Sequence, residues 1–136
     1  KTIGLADRLN YKIKVFDAFR PVEAQWKLWE HTSDENYIAH PKKGSPHSRG
    51  VAIDLTITDK NFKELNMGTP FDNFTKKSFH ENTSILKEAQ KNRHILLGIM
   101  SAAGWDFYKK EWWHYQLFNA KKYKLIKNNM LKQPIM

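Results

Sequence analysis

Two short segments of the chain hold the residue types that a hydrolytic metal site needs. Residues 45–54 read SPHSRGVAID, and residues 111–114 read EWWH. The first supplies His47 and Asp54, which lie seven positions apart, and the second supplies His114. A catalytic zinc ion is held by three protein ligands, and a water molecule takes the open position. The pattern therefore predicts one zinc ion per chain, bound by His47, Asp54 and His114.

Glu111 stands three positions before His114, near enough to reach the same site without filling the open position. A carboxylate there can act as a general base on the attacking water and later return the proton to the leaving amine. Taken singly, these residues have ordinary roles: a solvated loop histidine, an aspartate that caps a turn or pairs with Arg49, a core histidine. Their joint spacing favours the metal site.

Two further charged residues are candidates for work on a substrate. Arg20 ends the segment FDAFR, just before a proline. Its role is open between a surface salt bridge and stabilisation of a tetrahedral oxyanion, for which a guanidinium offers a rigid and always charged donor fork. Asp72 lies in the turn-rich segment MGTPFD. It could hold an Asx turn or anchor the ammonium group of a substrate.

The composition is that of a globular chain, and it narrows the kinds of site available. The 136 residues contain no cysteine, which excludes disulfides and thiolate metal ligands. The net charge of +9 reflects many lysines. The basic residues are not accompanied by the aromatic stacking platform of proteins that bind single-stranded nucleic acid. We therefore interpret the lysines as a solvated surface and predict no nucleic-acid partner. No run of about 18 apolar residues occurs, so no membrane span is expected.

Hydrophobic periodicity predicts a mixed order of short helices and strands. In the clearest strand, 51–57, the apolar residues share one face, and Asp54 lies on the other face, where a buried charge needs a partner such as a metal. The expected elements are a short N-terminal helix, a strand over 11–19, a helix over 22–31, a helix over 85–103 ended by Gly104, and a hairpin from 105–108 and 112–118. This order lacks regular βαβ alternation. It favours a single α+β domain over 1–136, with helices flanking a small antiparallel sheet and the zinc site on the sheet face.

Several longer segments carry a resemblance to a known family. The chain contains, in this order, FRP, SPHSRGVAIDLT, MGTPFDNF, NRHILLGIM and EWWHY. In these segments and their order it resembles the VanX-type zinc D-alanyl-D-alanine dipeptidases, with an N-terminal segment of that family missing. The resemblance implies that His47, Asp54 and His114 bind zinc and that Glu111 is the catalytic base. It also implies that Arg20 stabilises the transition state, that Asp72 holds the amino group of the dipeptide, and that Ser45 lies near the carboxylate of the dipeptide.

The implied activity is hydrolysis of the small dipeptide D-Ala-D-Ala, in an antibiotic-resistance or a housekeeping role. One alternative is a D,D-carboxypeptidase that removes the terminal D-Ala from peptidoglycan stem peptides, because the missing N-terminal segment helps close the pocket around a short substrate. Another is a non-catalytic, zinc-containing cell-wall-binding module. Glu111 and Arg20 argue against the module, since binding needs neither. The compartment, bacterial cytoplasm or periplasm, and the oligomeric state stay open.

Overall fold

A four-stranded antiparallel sheet with the strand order β1-β2-β4-β3 organises the chain. The computed structural model describes all residues from Lys1 to Met136. The helices are α1 (Thr2–Arg8), α2 (Val22–His31) and α3 (Lys87–Ala103), and the strands are β1 (Lys12–Asp17), β2 (Ala52–Thr58), β3 (Asp106–Phe107) and β4 (His114–Gln116). The predicted α+β class with a small antiparallel sheet is confirmed. None of the helices is both long enough and apolar enough to cross a bilayer.

The central strand β2 separates the hydrophobic core from the polar face of the sheet. Leu55 and Ile57 of β2 lie in the core cluster, together with residues of α3 and of the β4 region, among them Leu96, Met100 and Trp113. Residues with the other parity, which include Asp54, point to the opposite face, since side chains alternate along a strand. That face is also buried, so its polar residues need partners within the protein.

A bulge in β1 changes the face on which Asp17 lies. Val15 is paired with Leu55, and an unbroken register would pair Asp17 with Ile53 on the core face. The register shifts by one residue after Val15, so that Asp17 is paired with Asp54 instead. An extra residue in one strand re-aims the side chains that follow it. The bulge therefore brings a second carboxylate to the polar face of the sheet.

The elements lie where the sequence predicted them, with narrower limits in most cases. The strand predicted over 11–19 ends at Asp17, and the helix predicted from residue 85 begins at Lys87. Gly104 ends α3 at φ +99°, in the left-handed region that costs glycine nothing. α2 has the predicted limits, and the residue that it buries is the polar Gln25, whereas Trp26 is 37% exposed.

The irregular segment between β2 and α3 is held against α3 by Arg93, which is 1% exposed. Its Nε donates to the carbonyl oxygen of Met67 at 2.6 Å, and its Nη1 donates to that of Phe79 at 3.0 Å. Burial lowers the pKa of Arg93 to about 10, which still leaves the guanidinium charged at neutral pH. These bonds fix both ends of the stretch that carries Asp72.

Candidate metal centre and active-site cavity

Three buried donor atoms meet on the polar face of the sheet. Nε2 of His47 lies 3.2 Å from Nδ1 of His114, and Oδ1 of Asp54 lies 3.3 Å and 3.1 Å from these two atoms. A tetrahedral zinc ion with bonds of about 2.0–2.1 Å sets its ligand atoms about 3.3–3.4 Å apart. The spacing of the three donors therefore fits a zinc ion, and the residues form a candidate metal centre.

The sheet register explains why these residues meet. Asp54 of β2 is paired directly with His114 of β4, and residues paired in this way have Cβ atoms about 4.5–5.5 Å apart on the same face. His47 comes from the short turn His47–Arg49 just before β2, and Gly50 ends that turn at φ +67°. The seven-residue separation of His47 and Asp54 is thus one tight turn plus the first part of a strand.

Hydrogen bonds behind the histidines direct a lone pair from each ring toward Asp54. Nδ1 of His47 lies 2.6 Å from the carbonyl oxygen of Ala18, which can only accept, so this nitrogen carries the proton. Nε2 of His114 lies 3.0 Å from Oε1 of Gln116, which likewise accepts. In the tautomers that these bonds favour, the nitrogens that face Asp54 carry lone pairs when a metal ion is bound, whereas a metal-free ring that holds a second proton donates it to Asp54. Two lone pairs beside a carboxylate repel one another unless a cation lies between them. Hydrogen-bond partners behind the ring, such as Ala18 and Gln116 here, are typical of histidines that bind a metal ion.

The carboxylate of Asp54 is charged despite its burial. Burial acts to raise its pKa, but hydrogen bonds and charge from His114 and His47 outweigh burial and lower the pKa of Asp54 to about 2. A ligand that is already ionised needs no proton removed before it binds a metal ion.

Glu111 borders the donor triad and is 6% exposed. Its Oε2 lies 4.0 Å from Nδ1 of His114, because the turn between them closes on a backbone bond from His114 N–H to Glu111 C=O. Burial raises the pKa of Glu111 to about 8, although the charge of His114 opposes the shift. A cation at the triad would also oppose it, since positive charge favours the carboxylate. Glu111 can therefore exchange a proton near neutral pH without acting as a ligand.

Arg20 is oriented by two partners that leave part of its guanidinium free. Nε and Nη2 both donate to Oδ2 of Asp17, at 2.9 Å and 2.6 Å, and Nη1 donates to Oε1 of Gln25 at 2.8 Å. A guanidinium has five N–H donors, so one N–H on Nη1 and one on Nη2 are left. These two donors can serve an oxygen atom in the cavity that Arg20 lines.

Asp72 is held in the left-handed region, at φ +58°, which aspartate tolerates better than most residues. Its loop is anchored by aromatic contacts: Phe71 stacks on Phe16 with ring centroids 4.5 Å apart, and Nε1 of Trp112 donates to Oγ1 of Thr69 at 2.8 Å. The side chain of Asp72 is open to the cavity, but its concave surroundings remove part of its water. This partial desolvation, with repulsion from other carboxylates, raises the pKa of Asp72 to about 6.

Ser45 is buried at the start of the turn that carries His47. Its Oγ accepts the backbone N–H of His47 at 3.2 Å. The hydroxyl proton of Ser45 is not needed for this contact, so it is available to a group in the cavity.

All seven candidate residues line one cavity of about 450 Å³, which lies within the size range of small-molecule sites. The joint spacing of the ligands and the family resemblance had pointed to these residues, and the fold brings all seven together. The lining residues concerned are Arg20, Ser45, His47, Asp54, Asp72, Glu111 and His114.

Three residues that orient this group were missed in the sequence: Asp17, Gln25 and Gln116. Each carried a signal. Asp17 precedes Arg20 by three positions, and Gln116 follows His114 by two and so shares its face of the strand. Gln25 stands at helical spacing between two apolar residues of α2, Val22 and Trp29.

Sequence comparisons find similar proteins across almost the whole chain. A model of the peptidase family described as D-ala-D-ala dipeptidase matches residues 2–134. The D-alanyl-D-alanine dipeptidase of Escherichia coli (strain K12) is 38% identical over 126 residues, which cover 93% of this chain and 65% of that protein. The proteins of the same name from Enterococcus faecium and Enterococcus faecalis are 33% and 31% identical, covering 86% and 84% of this chain. The chain spans 67% and 66% of their lengths, so about two thirds of each relative is matched.

Proposed function

The chain belongs to the D-Ala-D-Ala dipeptidase family, and on that premise we propose that it hydrolyses the peptide bond of D-Ala-D-Ala with one zinc ion as its cofactor. The observation that carries the proposal is the triad of buried donor atoms, 3.1–3.3 Å apart, on the wall of a cavity that also contains a carboxylate and a guanidinium. Three ligands and an adjoining carboxylate are the components of a hydrolytic zinc site.

Each residue of the group has a separate part in the proposed reaction. Zinc, when held by His47, Asp54 and His114, supplies a Lewis acid and lowers the pKa of water. Glu111 takes a proton from the attacking water and delivers it to the amine that leaves when the peptide bond breaks. The two free N–H groups of Arg20 donate to the oxyanion that develops on the scissile carbonyl.

The ends of the dipeptide are assigned to two further residues. Asp72 binds the ammonium group of the first D-alanine, for which its position in the cavity and its negative charge suit it. The hydroxyl group of Ser45 donates a hydrogen bond to the terminal carboxylate. Both contacts hold the substrate without taking part in bond breaking, and they orient the scissile carbonyl between the metal centre and Arg20.

The proposal is tested by zinc analysis and by turnover of two substrates on this chain. Hydrolysis of D-Ala-D-Ala that a chelator abolishes and added zinc restores supports the dipeptidase. Faster release of D-Ala from a stem pentapeptide than from the dipeptide would make the chain a D,D-carboxypeptidase. Stoichiometric zinc without hydrolysis of either substrate would make it a non-catalytic binding module.

Substituting Arg20 by lysine is expected to lower kcat much more than it changes KM. Lysine keeps the charge, but its ammonium group has only three N–H donors. It cannot donate to both Asp17 and Gln25 and still present two donors to the oxyanion. Loss of an oxyanion donor costs about 10²- to 10³-fold in kcat. Steady-state kinetics on D-Ala-D-Ala, with Arg8→Lys on the exposed surface of α1 as the matched control, provide the measurement. A change confined to KM would assign Arg20 to binding of the ground state.

Substituting Asp72 by asparagine is expected to reduce the preference for a free amino terminus. The carboxylate attracts the substrate ammonium in a partly desolvated cavity, whereas the neutral amide does not. kcat/KM should therefore fall much more for D-Ala-D-Ala than for N-acetyl-D-Ala-D-Ala, and the ratio of the two values is the measurement. Equal losses on both substrates would show that Asp72 supports the loop and does not select the substrate.

A further inference from the structure

Gln25 is the buried residue of α2, 1% exposed, and both ends of its amide are bonded. Its Oε1 accepts from Nη1 of Arg20 at 2.8 Å, and its Nε2 donates to the carbonyl oxygen of Ala39 at 2.7 Å. The opposite orientation would place two donors together at Arg20 and two acceptors together at Ala39. The partners thus fix the orientation of the amide, and a side chain that only accepts or only donates cannot replace it.

Ala39 belongs to the segment 36–39, which lines the cavity and is here called the cavity wall. The hydroxyl of Tyr108 donates to the carbonyl oxygen of Asn36 at 3.0 Å, and Tyr37 stacks on Phe74 with ring centroids 4.9 Å apart. Tyr108 belongs to the turn that leads to the proposed general base, and Phe74 to the loop that carries the proposed ammonium-binding carboxylate. The cavity wall therefore contacts the turn before Glu111 and the loop that carries Asp72, and it reaches Arg20 through Gln25.

We infer that Gln25 is a positioning residue that couples the orientation of Arg20 to the position of the cavity wall. The inference rests on the proposed role of Arg20 at the oxyanion. Asp17 holds only one edge of the guanidinium, and the amide of Gln25 fixes the remaining nitrogen. When Ala39 of the cavity wall is in its observed position, its carbonyl oxygen fixes the amide of Gln25, and the amide keeps the two free N–H groups of Arg20 in place. Displacement of the wall is transmitted to Arg20 by the same two bonds.

Two substitutions of Gln25 separate its contacts. Gln25→Met has a similar shape but no hydrogen bond, and it should lower kcat by about 10- to 100-fold, since small misplacements of a catalytic group cost rates of this order. Gln25→Glu still accepts from Arg20, now through a charged bond, but faces the carbonyl of Ala39 without a donor, so it should lose less kcat than Gln25→Met and should raise KM. Zinc content should stay at one per chain in both variants. Equal losses of kcat in both variants, or no loss in either, would overturn the inference.

A readout on Arg20 itself distinguishes this inference from the proposed function. In ¹⁵N NMR spectra of the zinc-loaded protein, the Nη1 and Nη2 signals of Arg20 should be resolved, because bonded guanidinium groups rotate slowly. Gln25→Met should average them. Gln90→Met is the control, since Gln90 donates to the carbonyl of Ile85 at 3.0 Å, far from Arg20 in the chain and outside the cavity lining. Unchanged Arg20 signals in Gln25→Met would overturn the inference, whereas an unmutated protein that does not hydrolyse the dipeptide would overturn only the proposed function.

Discussion

Replacing His47 by alanine is expected to release most of the zinc and to remove hydrolysis of D-Ala-D-Ala. The side chain supplies one of three donors that lie 3.1–3.3 Å apart, and the two that remain cannot close a tetrahedral site. The change also leaves the carbonyl oxygen of Ala18 without its imidazole partner. Metal content after dialysis, read together with turnover before and after zinc is added back, measures the effect.

The matched control for this variant is His94→Ala, because His94 is exposed on α3 and does not line the active-site cavity. It should keep one zinc per chain and full turnover. If His47→Ala retained stoichiometric zinc, the ligand set would be wrong, and the contacts of His47 with Ala18 and Asp54 would have to be purely structural.

Replacing Glu111 by glutamine is expected to leave zinc in place and to lower kcat by about 10²- to 10⁴-fold, the usual contribution of a general base. The amide is nearly isosteric with the carboxylate, but it cannot accept the proton of the attacking water. Because Glu111 is buried and its charge is disfavoured there, the neutral amide should not lower thermal stability. Loss of rate with unchanged melting temperature and zinc content would thus report chemistry and not unfolding.

Glu88→Gln, an exposed carboxylate on α3, removes the same charge far from the cavity and serves as the control for Glu111→Gln. Its turnover should match that of the unmutated chain. Near-normal turnover of zinc-loaded Glu111→Gln would refute the assignment of the base, and another group would then have to accept the proton.

The ligand types and the polar face of the central strand were predictable because they depend on local chemistry. A chain without cysteine has only imidazole and carboxylate side chains to offer a zinc ion. The alternation of apolar residues over 51–57 put Asp54 on the face away from the core, since the side-chain period of a strand is two. α2, α3 and the C-terminal hairpin were predictable for the same reason, because each is defined by periodicity and by turn residues such as Gly104.

The orientation of the group was decided by the tertiary structure. Asp17 reaches Arg20 because a bulge shifts the register of β1 by one residue, and periodicity alone would have placed it on the core face. Gln25 is buried in α2 with its amide bonded to Arg20, five positions before it, and to the carbonyl oxygen of Ala39, fourteen positions after it. The sequence by itself determined which groups are present and that Asp54 lies on the polar face of β2. Their hydrogen-bond geometry depends on the bulge in β1 and on the bond between Gln25 and Ala39, so only the assembled fold could decide which donors of Arg20 stay free.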